Sequence, residues 1–424
     1  MNELFESLIY FPNESLFAFG KRSSLELKEN ESLTKADVFI TQQKGKFIFS
    51  CLSYDVKNSI ENLTSQNSDL IDFPYAIFWT AKFVVSLVDG VPIVVEGEVD
   101  EVDWKEVTSF ISSFLKEKTT SLNIQNVQFH PSITKEEYLE KIGLAKEQIQ
   151  LGNAYELNFC QQFTASNVDS LNSALLFDRL FKMTEAPFSV YVKWNQWEVF
   201  CGSPERFIQR KGAKIISQPI KGTIKRGKDH EEDKQLIVQL RKNPKEISEN
   251  VMITDLVRND LSKIALKGTV NVDELIGVHT FKTLHHLIST ISCEINQNEL
   301  FSSIISALFP MGSMTGAPKL SVMKITEVLE NFKRGIYSGS IGCIRPSGDF
   351  DFNVVIRSLV YNQLSQTISC AVGSAITIES EPESEYQECL TKVKRIIELF
   401  GKQELFWQLG TMEMAERETG ICCV

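Results

Sequence analysis

Apolar residues recur along the chain with two periods. Between residues 37 and 95 they come in short, often alternating runs, and the stretches 37–41, 46–50, 75–79, 83–87 and 91–95 predict strands. Asp89-Gly90, between the last two, predicts a hairpin turn. The spacing then lengthens, and Val107, Phe110, Ile111 and Phe114 share one face of a helix predicted over 104–118. A largely polar connector, 121–132, closes this amino-terminal region (1–120). The next helix is predicted to start at Ser132 or Thr134 as cap and to stop at Gly152-Asn153. Helices follow over 170–182, 231–240 and 244–261, with strands over 187–193, 198–201, 214–218, 269–272, 288–295, 337–344, 351–359 and 366–371. A last long helix opens at Glu381, so a second region spans 133–400 and 401–424 is a tail.

Composition narrows the class. The chain has 424 residues, a net charge of -11 and ordinary apolar and charged fractions. That balance argues against a phosphate-backbone binder, so no nucleic-acid partner is expected. Nine cysteines are scattered without a C-x-x-C or zinc spacing, which fits a reduced, cytoplasmic protein. The amino-terminal stretch lacks the basic and apolar parts of a signal peptide, and no run approaches eighteen apolar residues, so no membrane association is expected. Cys422-Cys423 does not form the prenylation pattern.

Candidate chemistry gathers around 202–227. Glu205 follows Pro204 at the mouth of one strand, and Lys221 precedes Gly222 at the end of another. A hairpin through Lys211-Gly212 brings both ends together. A lysine beside apolar Ile220 and a tight Gly222-Thr223 turn is expected to be partly desolvated, which lowers its pKa and frees the amine as nucleophile or base. On two predicted helices, Glu246 with Glu249 and Glu385 with Glu388 stand one turn apart. If those faces meet, four carboxylates make a hard oxygen site suited to Mg²⁺. Arg357 has the planar fork that grips a carboxylate. The glycine-rich run 309–319 exposes backbone N–H groups to an anion but lacks the Walker ending.

The motifs carry a resemblance. SPERF (203–207), PIKGT (219–223), ENVMITDLVRND (249–260), FPMGSMTGAPK (309–319), VGSAI (372–376) and ECLTK (388–392) are similar to runs of the chorismate-utilising enzymes, densely over 134–396 and loosely over 1–120. The resemblance implies an α+β fold of two packed, mostly antiparallel sheets flanked by helices. It implies a substrate, chorismate, that meets Mg²⁺ held by Glu249 and Glu388, with Glu246 and Glu385 assisting. It carries Thr223, His286, Thr315, Arg357, Gly373, Ser374, Ala375 and Lys392 over as substrate-binding residues, with 372–376 as a glycine-rich loop whose backbone N–H groups hold a carboxylate. Lysine rather than alanine at 221 resembles the branch that aminates chorismate at C4 on the way to p-aminobenzoate and folate. There Lys221 attacks C2, Glu205 protonates the leaving hydroxyl, and ammonia then attacks C4. Anthranilate synthase, which aminates at C2 and releases pyruvate, is the alternative; a non-catalytic subunit of the same fold is a further one. Glu156 stands where water-adding relatives carry lysine and the C4-aminating branch usually carries Gln, a departure with no meaning evident from sequence. No glutaminase elbow surrounds any cysteine, so a glutamine amidotransferase partner or free ammonia is expected to supply nitrogen.

Overall fold

A computed structural model of the chain describes residues 3–116, 127–169, 171–282 and 284–401. The connector as far as residue 126, and the tail from residue 402, lie outside the described residues. The described strands form two antiparallel sheets, of 11 and 10 strands. The strands before residue 98 join both. Ser7–Phe11, Leu16–Phe19, Phe83–Val88 and Val91–Gly97 extend the larger sheet, while Ser23–Leu27, Ile48–Leu52 and Ala76–Thr80 extend the smaller.

Alternation explains the layering. Side chains of a strand point to opposite faces, so each sheet offers one face to its partner and one to a helix layer. Between the sheets lie Phe49, Ile77 and Trp79 of the smaller and Val190, Trp194 and Val199 of the larger. The Trp79 and Trp194 rings are 5.1 Å apart and fully buried. Truncating either to alanine would cost about 3–5 kcal/mol. The helices Glu101–Leu115, Lys135–Gln150, Ser173–Thr184 and Pro382–Ile397 pack in the core of the larger sheet's outer face. Thr34–Gln42, Pro244–Ser262 and Phe301–Leu308 do the same for the smaller. Thr134 makes the full capping box with Glu137 at one of these helix starts.

Five readings from sequence change. Residues 37–41 are helical: Ala36 and Phe39 are the buried pair of Thr34–Gln42, an i, i+3 spacing hidden inside a β-branched run. His285 and His286 lie inside the strand Leu284–Glu294 rather than between strands. The Gly222-Thr223 turn is a bulge in the strand Ile220–Lys225: Ile220 pairs with Ile288 and Thr223 with His286, so the near strand carries one extra residue. Residues 372–376 are not a loop but the end of the strand Thr367–Ile376, paired with Glu156–Ala165 throughout. The stretch 351–359 is two strands, Phe350–Asn353 in the smaller sheet and Ser358–Asn362 in the larger.

The last change positions the site. The chain crosses from one sheet to the other at 354–357, with Arg357 at φ +50°. It also crosses at Pro204-Glu205, between Trp197–Ser203 and Arg206–Lys211. The crossings are tied together: Val354 N donates to Glu205 O at 3.0 Å, and Gly202 N to Arg357 O at 3.0 Å. Backbone leaving a ladder needs new partners, and here each crossing supplies them to the other.

Candidate active site

A cavity of about 210 Å³ opens beside these crossings. Of the residues singled out from sequence, all but Glu156, Thr315 and Glu385 line it. Thr315 is buried and spends its hydroxyl on Met311 O and Gly312 O, closing the glycine-rich turn.

Lys221 enters on the bulge. A bulge re-aims a side chain, and this one requires Gly222 at φ +93°, where a Cβ would meet Leu287 at 2.9 Å. Asn250 Nδ2 donates to the carbonyls of Lys221 and Leu287, both at 3.2 Å. The Lys221 ammonium donates to Glu156 Oε1 at 2.9 Å and lies 4.0 Å from Glu249 Oε2. Burial alone would push its pKa down, as expected from sequence. Glu156 and Glu249 outweigh that and hold it above the ordinary lysine value. The amine is therefore not freed by desolvation; it is held as the ammonium of a buried pair.

Glu205 is 4 % exposed and accepts a hydrogen bond from Ser313 Oγ at 2.6 Å. Burial pushes its pKa up to about 7, against the opposing pull of Ser313, Lys221 and Arg357. A carboxyl so placed carries a proton near neutral pH. His286 Nδ1 meets Thr223 Oγ1 at 2.7 Å, and burial drives the imidazole down to about 3, so it is neutral. Burial, then the neighbouring Arg395, lower Arg357 to about 10; it remains a cation.

The strand Ser358–Asn362 pairs with Thr367–Ile376 only as far as Cys370. From Ala371 to Ala375 the strand is laddered to Glu156–Ala165 alone, and its other edge borders the cavity. That edge can bind an anion through backbone N–H groups without a loop. Lys392 Nζ donates to Gly373 O at 2.9 Å and to Glu388 Oε1 at 2.7 Å.

The two acidic pairs do converge. Glu246 and Glu249 come from Pro244–Ser262, and Glu385 and Glu388 from Pro382–Ile397. Lys245 bridges them, 3.3 Å from Glu385 Oε1 and 3.9 Å from Glu249 Oε1. Burial raises Glu249 to about 7, with Glu156 adding to it and Lys221 opposing. Glu249 Oε1 and Glu385 Oε2 are buried without a hydrogen-bond partner. Orphaned hard oxygens suit a divalent cation, and in this sense the residues fit one. Among the described residues no three acidic, histidine or cysteine side chains already stand close enough to hold one ion together.

Sequence reasoning missed the partners rather than the principals. Ser313 sat inside a quoted motif, and Lys245 immediately precedes Glu246. Arg395, also in the cavity wall, follows Glu388 and Lys392 at i+7 and i+3, the same helical face.

The family model described as chorismate binding enzyme matches residues 6–398. Aminodeoxychorismate synthase component 1 of Escherichia coli is 38% identical over 271 residues, covering 64% of this chain. The match spans only 59% of that relative's length. An anthranilate synthase component I-like protein of Synechocystis is 31% identical over 349 residues, 82% of this chain and 71% of its own. The crystal structure of anthranilate synthase component I from Streptococcus pneumoniae superposes with a TM-score of 0.77 at 21% identity, covering 91% of this chain and 93% of that one.

Proposed function

The chain belongs to the chorismate binding enzyme family, and from that premise we propose that it aminates chorismate at C4 with ammonia, giving 4-amino-4-deoxychorismate. The observation that carries the reading is the Lys221 amine in the cavity wall with Glu205 lining the same cavity. The relative of higher identity bears the matching name, aminodeoxychorismate synthase component 1.

Chorismate carries two carboxylates. The edge 371–375 and Lys392 take one, and Arg357 takes that of the enolpyruvyl group. Glu249 and Glu388, assisted by Glu246 and Glu385, would hold Mg²⁺, which supplies positive charge for a substrate carboxylate. Lys221 passes its proton to Glu156, its 2.9 Å neighbour, and the amine forms a bond to C2. The two conjugated ring double bonds each shift by one position as the C4–O bond breaks, and Glu205 gives its proton to the departing hydroxyl, which leaves as water. Ammonia then bonds to C4, both double bonds return, the C2–N bond to Lys221 breaks, and Glu156 gives its proton back to the freed amine. The proton released by ammonia restores Glu205. Thr223 and neutral His286 brace the floor of the cavity, and Thr315 shapes the turn that presents Ser313.

Nitrogen supply follows from the thiols. The seven cysteines among the described residues are all buried, and burial raises every one of them above the ordinary thiol value. None suits the thiolate of a glutaminase. This supports ammonia or a glutamine amidotransferase partner as the source of nitrogen, and buried reduced thiols are in keeping with a cytoplasmic setting. No described helix is long and apolar enough to cross a membrane.

The test is product analysis with chorismate, Mg²⁺ and ammonium salt, then with glutamine in its place. The expected product is 4-amino-4-deoxychorismate, from ammonium only. Omitting nitrogen should leave a covalent adduct on the Lys221 peptide. Anthranilate as main product, or turnover with glutamine by the protein alone, refutes the reading.

A further inference from the structure

Lys245 occupies a position that helix energetics disfavour. It is the second residue of Pro244–Ser262, where the positive end of the macrodipole repels a cation and favours an acid. What holds it there is tertiary. Its ammonium lies 3.3 Å from Glu385 Oε1 and 3.9 Å from Glu249 Oε1, bridging the two helices that supply the four carboxylates. The other oxygen of Glu385, and the same Oε1 of Glu249, have no hydrogen-bond partner, although both residues are more than nine-tenths buried. The lysine side chain itself is 44% exposed, so its stem can turn the ammonium out to water.

An ammonium and a divalent cation need the same oxygens. Both cannot sit against Glu249 and Glu385, since like charges at that range repel strongly. We propose that Lys245 is a built-in competitor for the divalent cation: it holds the Glu249 and Glu385 carboxylates until the metal takes them, then turns to solvent. This rests on the reading that those carboxylates bind Mg²⁺, and it adds a residue that sets the affinity of the site. Neutralising the acids in this way keeps two facing helix ends from repelling each other while the metal exchanges. Lys392 differs, because it is also tied to Gly373 O and stays with the substrate side of the cavity.

The experiment uses the full chain and magnesium chloride alone, without chorismate. Lysine acetylation with acetic anhydride, mapped by mass, should rise several-fold at Lys245 when Mg²⁺ is added. Calorimetric titration should show Mg²⁺ binding about tenfold or more tighter to Lys245→Gln, the size of one partly screened charge contact. If the wild type binds no Mg²⁺, the carboxylate reading fails and the competitor with it. If Mg²⁺ binds but Lys245 acetylation is unchanged or falls, the competitor role alone is overturned. The labelling arm needs no variant, so a Lys245→Gln protein that does not fold leaves the test intact; a folded one with unchanged or weaker binding overturns the proposal.

Discussion

Lys221 Nζ lies 2.9 Å from Glu156 Oε1, and the two charges are buried together beside the cavity. Glu156 therefore decides at what pH Lys221 becomes a free amine. It holds the lysine pKa up, so adduct formation with chorismate should rise with pH on the alkaline side. Glu156→Gln removes the nearest anion, so that burial, which pushes the lysine down, is opposed by Glu249 and Glu205 only. The rise should move to lower pH by about one unit or more. Lys221→Ala should lower kcat by about a hundredfold or more with little change in KM, the mark of a group acting in the chemical step. An adduct profile that does not move in Glu156→Gln counts against the pairing as the control.

Glu205 makes the opposite prediction about pH. Its donating form prevails below about 7, so the step that protonates the leaving hydroxyl should slow as pH rises through that value. The stability sign follows. A carboxyl whose folded pKa is raised contributes stability that is full below its unfolded value, about 4.3, and lost as pH rises through the folded one. Glu205→Gln stays neutral, so its Tm should exceed that of the wild type at pH 8 while kcat falls about 10²–10⁴-fold. Thermal scans at pH 5 and pH 8 check this; equal Tm differences at both would contradict it.

The carboxylate cluster gives a third expectation. Glu249→Gln and Glu388→Gln change charge with little change in shape, so both should fold. Each should raise the Mg²⁺ concentration for half-maximal turnover by about tenfold or more. Magnesium titrations of initial rate settle the point, and unchanged half-saturation in both variants removes these residues as ligands.

A fourth expectation concerns the frame. Asp260 of the Pro244–Ser262 helix pairs with Lys319, at the start of Lys319–Leu329, and both are largely buried. Lys319 also donates to Leu308 O, so the pair anchors both ends of the glycine-rich segment that presents Ser313. Asp260→Asn leaves a buried ammonium uncompensated and should cost about 3–5 kcal/mol. Lys263→Ala removes only the exposed partner of Asp260 and should cost under about 1 kcal/mol. Urea unfolding of the two variants measures the contrast.

The elements most legible in the chain were those whose signal is local. The stripe of Val107, Phe110, Ile111 and Phe114, the helix start capped at Ser132 or Thr134 and the Asp89-Gly90 turn each depend on a few neighbouring residues. All three stand in the structure. The misread elements were those whose partner lies far away. Residues 372–376 resemble a glycine-rich loop until Glu156–Ala165 is laid beside them, and 351–359 reads as one strand because nothing local records which sheet each half joins.

The same division runs through the site. By itself the sequence determined which side chains can do chemistry: a lysine, a carboxyl after a proline, two acidic helix faces, an arginine in a strand motif. It also determined the family, because long motifs are read without knowing what they touch. Only the tertiary structure decided their states. Glu156 and Lys221 are 65 residues apart, and Glu205 and Ser313 are 108 apart. Whether a buried lysine is an amine or an ammonium, and whether a carboxyl keeps its proton, depends on which charges lie within a few ångströms in low dielectric. That distance is set by the two crossings between sheets and by one bulge, and no local pattern of residues encodes it.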